Sequence, residues 1–590
     1  MACSCILLAL CTAGVEWAKY RGASPAPEPS VPGGYYEDAF VLYLKAPPFG
    51  KIYYTTDGSA PSADSLLYQD GISIVNRSGE PNVYHAIRNV VKDWENYTPN
   101  PAPVEKGTVI RAVYINDWGA ASEILTQTYF VGIAPPERGC TLSLVFSHED
   151  LFGEEGIYVT GREYDEWYRG GRSGQEPEAN FETHMEVPVI AELLDASGDI
   201  LNQPVGLRIQ GASAREAWNK RFIVTAREKY GGSSVFDTVL FEGVTTHSVM
   251  IKDALPDAIA ADLVADRAVA VQRSIPVRVF LNGEFWYSSY LLERYDTHYF
   301  QQYYQVNDRV LIKNGMVEDH SDWDAEQYCY SEFMRWVNRT DFSDNDNWTA
   351  FQAQTDVQSF IDYMAVNYFL CNRDFSDRHN YVVWHESSLS NRGTDRSRWQ
   401  WCLYDEDALD WYDPERYGLP ERLNLFSMEK GINDTAIFRA LKQNPQFRQW
   451  FVLSFLDICN NHFAPEKVEK VLEAYGCTLD WQGGYFRKRP AYALEHIAEE
   501  FELTGTPETV TICTANPEMG SVVVNTSQID LTSGSWSGQY FTDYPITVTA
   551  SAKEGYRFAG WKGDADTAET TLHMPVDGGI RLEAVFAKEQ

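Results

Sequence analysis

The chain has 590 residues, with 49 Lys and Arg against 84 Asp and Glu, which gives a formal net charge of −35. Such an acidic chain, without any run of basic residues, excludes a nucleic-acid-binding protein because phosphate contacts need clustered Lys and Arg. Hydrophobic residues are 44% of the sequence, enough for packed cores, and the length predicts roughly three or four domains. No apolar stretch approaches the ~18 residues of a transmembrane helix, so we predict none.

Residues 1–34 contain an apolar start and a proline-rich linker. Ile6–Leu10 is similar to part of an export signal, although no basic segment precedes it. Leu8–Cys11 resembles a lipoprotein cleavage box, which would make Cys11 the lipidated residue. Ser24–Pro32 is rich in proline, and such segments are extended and semi-rigid. The start predicts a secreted or envelope-attached protein; the alternative is an internal protein with a chance hydrophobic start.

Residues 35–131 show the short alternating runs and turn residues of an all-β module. Asp57-Gly58 supplies a tight turn within the segment Ile52–Tyr68, IYYTTDGSAPSADSLLY. That segment resembles the C-terminal domain of chitobiases and β-hexosaminidases, which implies an immunoglobulin-like β-sandwich without catalytic residues. The predicted strands include Phe40–Leu44, Lys51–Thr55, Val109–Ile115 and Gln127–Val131.

Residues 138–505 mix strands and helices. Asn282-Gly283, between two strand-like runs, predicts a tight hairpin. Asp356–Asn372 has apolar residues at helical spacing, and further helices are predicted at Phe438–Phe463, Pro465–Tyr475 and Ala491–Phe501. Strands come first and helices follow, which favours a two-lobed α+β domain over an alternating doubly wound sheet.

Residues 508–590 are again strand-like. Gly555–Asp564, GYRFAGWKGD, followed by Leu582–Phe586, LEAVF, resembles an extracellular bacterial repeat domain related to internalin B-repeats. The resemblance implies a small β-grasp-like module that acts as a spacer or adhesion unit. Tyr556, Phe558 and Trp561 are then predicted to lie in its core.

Polar side chains cluster at two turns of the central region. Asn372–Asn380 follows the predicted helix and leads into the predicted strand Tyr381–Trp384. A second predicted strand, Trp399–Tyr404, leads into the acidic triplet Asp405–Asp407. Carboxylate and carboxamide oxygens suit Mg²⁺ or Mn²⁺. Phosphoryl transfer needs such a metal, a base for the attacking hydroxyl and a cation on the phosphates.

A candidate cation lies upstream. Gly206–Gln210 predicts a strand, Gly211–Ala214 a small-residue turn, and Arg221–Arg227 the returning strand. Such a turn lets backbone N–H groups approach a phosphate. Lys220 begins the return in phase with Phe222; the alternative is a solvated lysine at a strand end.

Five motifs of the central region, in this order, resemble the spore-coat CotH kinase family. The resemblance implies an atypical protein-kinase-like fold that uses ATP and Mg²⁺ or Mn²⁺ to phosphorylate protein hydroxyl groups. The motifs are RIQGASAREAWNKRF (Arg208–Phe222), PVRVFLNGEFW with YLLERYD (Pro276–Asp296), LIKNG (Leu311–Gly315), NRDFSDRHNYVVW (Asn372–Trp384) and WQWCLYDEDALDW (Trp399–Trp411).

The same resemblance implies roles for individual residues. On the nucleotide side, Lys220 would contact the ATP phosphates and pair with Glu293, beside the turn that contains Gly211 and Ser213. On the acidic side, Asp374 would be the catalytic aspartate. The metal would be held by Asn380 and Asp405, with Asp407 as a second carboxylate or a support.

Several positions depart from the family pattern. The segment from Asp374 to Asn380 is one residue longer, so His379 or Asp377 is an alternative partner for the metal or the aspartate. Pro256, Tyr287 and Ala212 also replace expected residues, which are Arg, Gly and Asn. The competing hypothesis is therefore a non-catalytic pseudokinase that serves as a surface adhesion or structural protein. In either case we expect surface or coat proteins as partners, with glycan contacts from the flanking modules.

Overall fold

The structure is a computed structural model that describes residues 25–387, 397–409, 413–428, 432 and 435–589. The signal-like start with Cys11, and the Trp411 end of the last family motif, lie outside the described residues. The chain divides into two compact units, which are treated separately below. The first unit comprises the chain up to Asp253 together with Ser274–Tyr303, and the second comprises Ala254–Arg273 together with the chain from Tyr304.

The first unit begins with a β-rich module, as predicted. Its largest sheet has the strand order β2-β9-β8-β5-β6, and β1–β4 and β3–β7 form two smaller pairs. Leu42, Ile52, Ile110 and Tyr129 are buried between these strands and form its core. The strands are β1 (Glu28–Pro29), β2 (Gly34–Tyr36), β3 (Phe40–Leu42), β4 (Leu44–Lys45), β5 (Gly50–Thr55), β6 (Leu66–Leu67), β7 (Ile72–Ile74), β8 (Thr108–Asn116) and β9 (Leu125–Val131).

The rest of the first unit is built on a closed barrel with the order β10-β11-β12-β13-β14-β16-β15. Neighbouring strands are antiparallel, except that β10 and β15 are parallel. The predicted hairpin is present: Asn282 and Gly283 join β15 to β16 with φ values of 45° and 82°, the signs that a tight hairpin turn requires. The elements are β10 (Cys140–Val145), α1 (His148–Leu151), α2 (Arg162–Arg169), β11 (Val187–Asp195), β12 (Gly198–Gln210), β13 (Arg221–Ala226), β14 (Ser248–Lys252), β15 (Ser274–Leu281) and β16 (Glu284–Glu293).

Most of the remaining helices belong to the second unit, which also contains a four-stranded sheet of order β18-β17-β19-β20. The strands are β17 (Arg309–Lys313), β18 (Met316–Glu318), β19 (Val382–Glu386) and β20 (Gln400–Cys402). The helices are α3 (Leu255–Val264), α4 (Thr297–Tyr304, in the first unit as far as Tyr303), α5 (Trp323–Val337), α6 (Asn345–Gln354), α7 (Val357–Phe369), α8 (Pro414–Tyr417), α9 (Ala436–Leu441), α10 (Pro445–Asp457), α11 (Pro465–Ala474) and α12 (Trp481–Glu500).

The central helix of this unit is α7, which is buried at every position except Gln358. The Asp356 carboxylate caps it by accepting a hydrogen bond from the Ser359 N–H at 3.0 Å. The helix predicted over Phe438–Phe463 is interrupted, because Pro445 begins α10 as a separate helix. The mixed α/β character of the central region is confirmed. No helix in the described part of the chain combines the length and the apolar character that crossing a membrane requires.

The second unit ends in a β module of two four-stranded sheets, β24-β21-β28-β26 and β23-β22-β25-β27. Of the three predicted core aromatics, Trp561 is buried, whereas Tyr556 and Phe558 are half-buried. The strands are β21 (Pro507–Cys513), β22 (Gly520–Val524), β23 (Ser527–Gln528), β24 (Ser535–Phe541), β25 (Ile546–Ala552), β26 (Tyr556–Gly563), β27 (Thr571–Met574) and β28 (Ile580–Lys588).

This module is joined to α10 through a buried carboxylate. Asp457 accepts hydrogen bonds from the Tyr540 hydroxyl at 2.7 Å, from the Asn525 carboxamide at 3.0 Å, and from Thr526. Asn460 adds a reciprocal pair of hydrogen bonds with the backbone of Gln539. The pKa of Asp457 is raised by burial, which the hydrogen bonds partly offset.

Candidate functional site

Sheet register brings the two polar turns together. Val382 at the start of β19 pairs with Cys402 at the end of β20, in an antiparallel ladder. The loop Asn372–Asn380, which precedes β19, therefore lies beside the turn at Asp405, which follows β20. The proximity of the two turns thus has a simple origin in strand pairing.

Asn372 ties these two turns to each other. Its side chain is fully buried, and its Nδ2 donates to Glu406 Oε2 at 3.0 Å. Its Oδ1 accepts a hydrogen bond from the backbone N–H of Asp374 at 3.1 Å. One carboxamide therefore fixes both the backbone of the loop and the middle residue of the acidic triplet. This role of Asn372 was not predicted from the sequence, although the residue opens the N-R-D segment.

Asp374 presents a half-exposed carboxylate. Its side chain is 40% exposed, and Oδ2 lies 3.3 Å from Asn380 Nδ2 and 3.3 Å from His379 Nε2. Asn380 is nearly buried, whereas the His379 side chain is 59% exposed. A carboxylate oriented by a fixed carboxamide and open to solvent can accept a proton from an incoming hydroxyl group.

Three residues of the site have left-handed backbone conformations although none is glycine. The φ values are 57° at Cys371, 47° at Asn380 and 63° at Asp405. Such conformations cost roughly 1–3 kcal/mol each and persist where surrounding contacts hold them in place. At one end of the loop, Asn314 holds the Tyr381 backbone, accepting at Oδ1 from its N–H and donating its own N–H to the Tyr381 carbonyl. The loops are thus held in a specific, costly shape.

The acidic triplet alternates in its burial. Glu406 is buried, and Asp257 of α3 accepts its backbone N–H at 3.0 Å, whereas Asp405 and Asp407 are half-buried. Asp257 adjoins Pro256, one of the positions that depart from the family pattern, so the departing segment still supports the turn. Asp405 and Asp407 carry carboxylates and Asn380 a carboxamide, which are hard oxygen donors of the type that Mg²⁺ or Mn²⁺ binds, so the chemistry of these side chains fits such an ion.

His379 and Asp377, the two alternative partners named from the sequence, make different contacts. His379 contacts the Asp374 carboxylate, as described above. Asp377 instead accepts the backbone N–H of Ala436 at 2.9 Å and so caps α9. Both Asn380 and His379 contact the Asp374 carboxylate.

Lys220, in the first unit, has a different environment from the one expected. Its side chain is fully buried, and Nζ lies 2.5–2.9 Å from the backbone oxygens of Val90, Arg215 and Ala217. These contacts use all three N–H donors of an ammonium group. Nζ also lies 3.7 Å from the ring centroid of Phe181.

The alternative of a solvated lysine is therefore wrong. Burial lowers the pKa of Lys220 to about 7, an effect that Glu216 and Glu182 partly offset. Contact with a phosphate stays a prediction for this residue, because the three carbonyl contacts would first have to be released.

The other residues predicted to bind the nucleotide also lie in the first unit. Glu293 ends β16, and its Oε1 accepts a hydrogen bond from the Tyr303 hydroxyl at 2.6 Å. Gly211 has φ of 117°, which favours glycine, and the exposed Ser213 follows it. Arg215, which the sequence analysis missed, holds this turn by donating from Nε to the Gly211 carbonyl at 2.6 Å. The turn is rigidly held, and its role toward phosphate stays a prediction.

Comparison with known families supports part of the sequence-based assignment. Residues 207–480 match the family described as CotH kinase protein, and residues 522–590 match the divergent InlB B-repeat domain. Residues 42–129 match the Fn3 associated family. The CotH and B-repeat resemblances are confirmed, whereas the chitobiase-like resemblance of the N-terminal module stays a prediction. No curated protein matches the chain.

Proposed function

We propose that the region matching the CotH kinase family transfers the γ-phosphoryl group of ATP to hydroxyl groups of proteins. The observation that carries the proposal is the link made by Asn372, which joins the loop of Asp374 to the acidic turn of Asp405. A catalytic role would account for two acidic turns that are held together by a buried carboxamide and by left-handed backbone at Asn380 and Asp405.

Each residue has a distinct task in this proposal. Asp374 accepts the proton of the attacking hydroxyl group, and the Asn380 Nδ2 orients its carboxylate. Because Nδ2 is used in this way, the Oδ1 of Asn380 is left to bind a metal, together with Asp405 and with Asp407 as second carboxylate or support. A bound Mg²⁺ or Mn²⁺ would neutralise charge on the phosphates. Glu406 stays buried and holds the turn.

The nucleotide-binding residues implied by the family are kept as candidates. They are Lys220, Glu293, Gly211 and Ser213. Lys220 could contact a phosphate only after its three carbonyl contacts are released.

The test separates binding from chemistry in the full chain. Thermal stability is measured with ATP and Mg²⁺ or Mn²⁺, because a ligand that binds only the native state raises it. We expect wild type and Asp374→Asn to be stabilised and Asp405→Asn not. Only wild type and the control Asp341→Asn, an exposed turn residue, should transfer labelled phosphate to protein. Equal stabilisation of Asp405→Asn and wild type would remove the metal role, and no stabilisation of wild type would overturn the proposal.

We further infer that the protein acts outside the cell or on its envelope, on surface or coat proteins, with the flanking modules contacting glycans. The match of residues 522–590 to a B-repeat domain supports this location. Fractionation of native cells with mass analysis of the N-terminus tests it. A purely cytosolic pool that retains Met1 would overturn the inference.

A further inference from the structure

Two histidines and an aspartate meet at one end of the barrel, in the first unit. Val249 of β14 pairs with Glu293 of β16, so the residue before β14 and the residues after β16 lie at the same end. His247 directly precedes β14, while Asp296 and His298 stand at the beginning of α4. Strand pairing therefore brings together three side chains that are distant in the sequence.

The three side chains lie close enough together to share one metal ion. One ligand atom from each of His247, Asp296 and His298 lies within 4.8 Å of the other two. The two imidazole rings are stacked, with centroids 4.5 Å apart and planes 14° from parallel. All three side chains are half-buried, so the cluster is shielded but reachable from solvent.

An unsatisfied oxygen is an independent sign of a ligand. Asp296 Oδ1 caps α4 by accepting the Tyr299 N–H at 3.0 Å. Its other oxygen, Oδ2, is buried and has no hydrogen-bond partner among the residues that the structure describes. A buried acceptor left in this way costs roughly 1–3 kcal/mol, and more when it is charged, unless a ligand satisfies it.

The orientation of His247 suits coordination. Its Nδ1 lies 2.5 Å from the Ser234 carbonyl oxygen, so Nδ1 carries the proton and donates it to that oxygen. Nε2 is then the nitrogen with a lone pair. A histidine that binds a metal through one nitrogen commonly donates from the other to a carbonyl or carboxylate, which fixes the ring.

The space at the cluster is large enough for an ion. The cavity lined by these residues has a volume of about 20 Å³, enough for one water molecule or ion. Two other charged side chains line it: Glu293, which accepts from Tyr303, and Arg294, which donates to the Ser248 hydroxyl at 2.7 Å. The carboxylates outnumber the guanidinium, which favours a cation.

We propose that His247, Asp296 and His298 bind one zinc ion. Two imidazole nitrogens and one carboxylate oxygen are ligands of borderline transition metals, whereas Mg²⁺ prefers oxygen alone. Three protein ligands leave a fourth position for water. The ion would clip the segment that ends at His247 to the first turn of α4, so its role is to hold the barrel end, separate from the metal that accompanies ATP.

The test uses the untagged full chain, stripped of metal and dialysed against zinc in the presence of excess Mg²⁺. Metal analysis should find one zinc ion per chain in wild type and in His573→Gln, a control histidine that is exposed in the C-terminal module. His247→Gln and His298→Gln should each lose that ion. Asp296→Asn, in which Asn can still cap α4, should bind zinc at least about 10-fold more weakly.

Folding of each variant is checked without zinc, where wild type and the variants should melt at similar temperatures. Co²⁺ replacing zinc should give the visible absorption of a tetrahedral site in wild type and not in His298→Gln. Wild type without bound zinc, or folded His247→Gln and His298→Gln that bind zinc as wild type does, would overturn the proposal.

Discussion

Lys220 and Asp374 were assigned to one reaction by the same family resemblance, yet their surroundings differ in kind. Lys220 is fully buried, and its three donors are directed at three backbone carbonyls. Asp374 has a side chain that is 40% exposed, and neighbours that orient its carboxylate. A motif gives the position of a charged group, but burial and satisfied hydrogen bonds decide whether the group is available to a ligand.

The two environments also differ in what they require energetically of the charged group. A buried ammonium is stable only if its donors are all paired, because an unpaired buried charge is costly. A half-exposed carboxylate keeps part of its hydration, so it can exchange water for a substrate hydroxyl at little cost. We therefore expect substitutions at Lys220 to affect stability first and substitutions at Asp374 to affect activity first. Four predictions test this comparison.

The largest effect is expected for Asp374→Asn. The amide cannot accept the hydroxyl proton, so phosphate transfer should fall by about 100-fold or more, the usual contribution of a general base. The free energy of unfolding in urea should change by less than about 0.5 kcal/mol, since the side chain is half-exposed. Asp341→Asn is the matched control and should keep both. A variant Asp374→Asn that transfers at the wild-type rate would end the catalytic assignment.

Lys220→Met should act in the opposite way. The substitution leaves the carbonyls of Val90, Arg215 and Ala217 without their buried donor, and the free energy of unfolding should fall by at least about 2 kcal/mol. Lys229→Met removes an exposed lysine of the same unit, which pairs with Glu186, and should leave the free energy of unfolding close to that of wild type. A stable Lys220→Met variant that has lost ATP binding would instead support the phosphate contact and break the comparison.

Asn372→Ala should have a smaller effect on phosphate transfer, and it should also change the Mg²⁺ dependence of the rate. Asn372 would not touch the metal; it positions the triplet through Glu406. Residues that orient metal ligands typically contribute 10–100-fold, so we expect transfer to fall about 10-fold and the Mg²⁺ concentration for half-maximal rate to rise. The control is Asn338→Ala, an exposed residue at the end of α5. A fall in rate with unchanged Mg²⁺ dependence would argue for a purely structural role.

The smallest expected effect is a pH dependence of stability. The pKa of Lys220 is lowered from 10.5 to about 7 by burial, so between these values the unfolded chain binds more protons than the folded chain. The free energy of unfolding of wild type should therefore rise with pH in this window, relative to Lys220→Met, by at most about 1.4 kcal/mol per pH unit. Urea titrations of both proteins at about pH 7 and pH 9 measure it. If the difference in the free energy of unfolding between the two proteins does not change with pH, the backbone carbonyls keep the Lys220 ammonium charged.

Local patterns predicted much of the fold. The hairpin at Asn282-Gly283 and the helix following Asp356 could be predicted from the sequence. Turn residues and N-cap residues determine the backbone conformation at their own positions. The helix over Phe438–Phe463 was predicted too long because apolar spacing continues across Pro445, which starts a new helix. Closure of the barrel could not be foreseen, since the parallel pairing of β10 with β15 joins segments more than 130 residues apart.

Some residues of the candidate site could also be predicted from the sequence, and others could not. Asp374, Asn380 and Asp405 were named because their types and spacing match a motif, and the structure places them on neighbouring turns. Asn372, Glu406 and Asp257 were missed because their roles depend on which residue faces inward, which spacing does not reveal. The cluster of His247, Asp296 and His298 has no sequence motif, since strand pairing alone brings it together.

The carboxylate of Asp457 has a consequence for how the second unit comes apart. It is buried at the end of α10, and its hydrogen-bond donors belong to the C-terminal module. Separating the module from the helices would break all of these hydrogen bonds, so we expect the two parts to melt together. A calorimeter should record one cooperative transition for the second unit, and a proteolytic cut in the Thr504–Pro507 connection should leave the two fragments bound to each other.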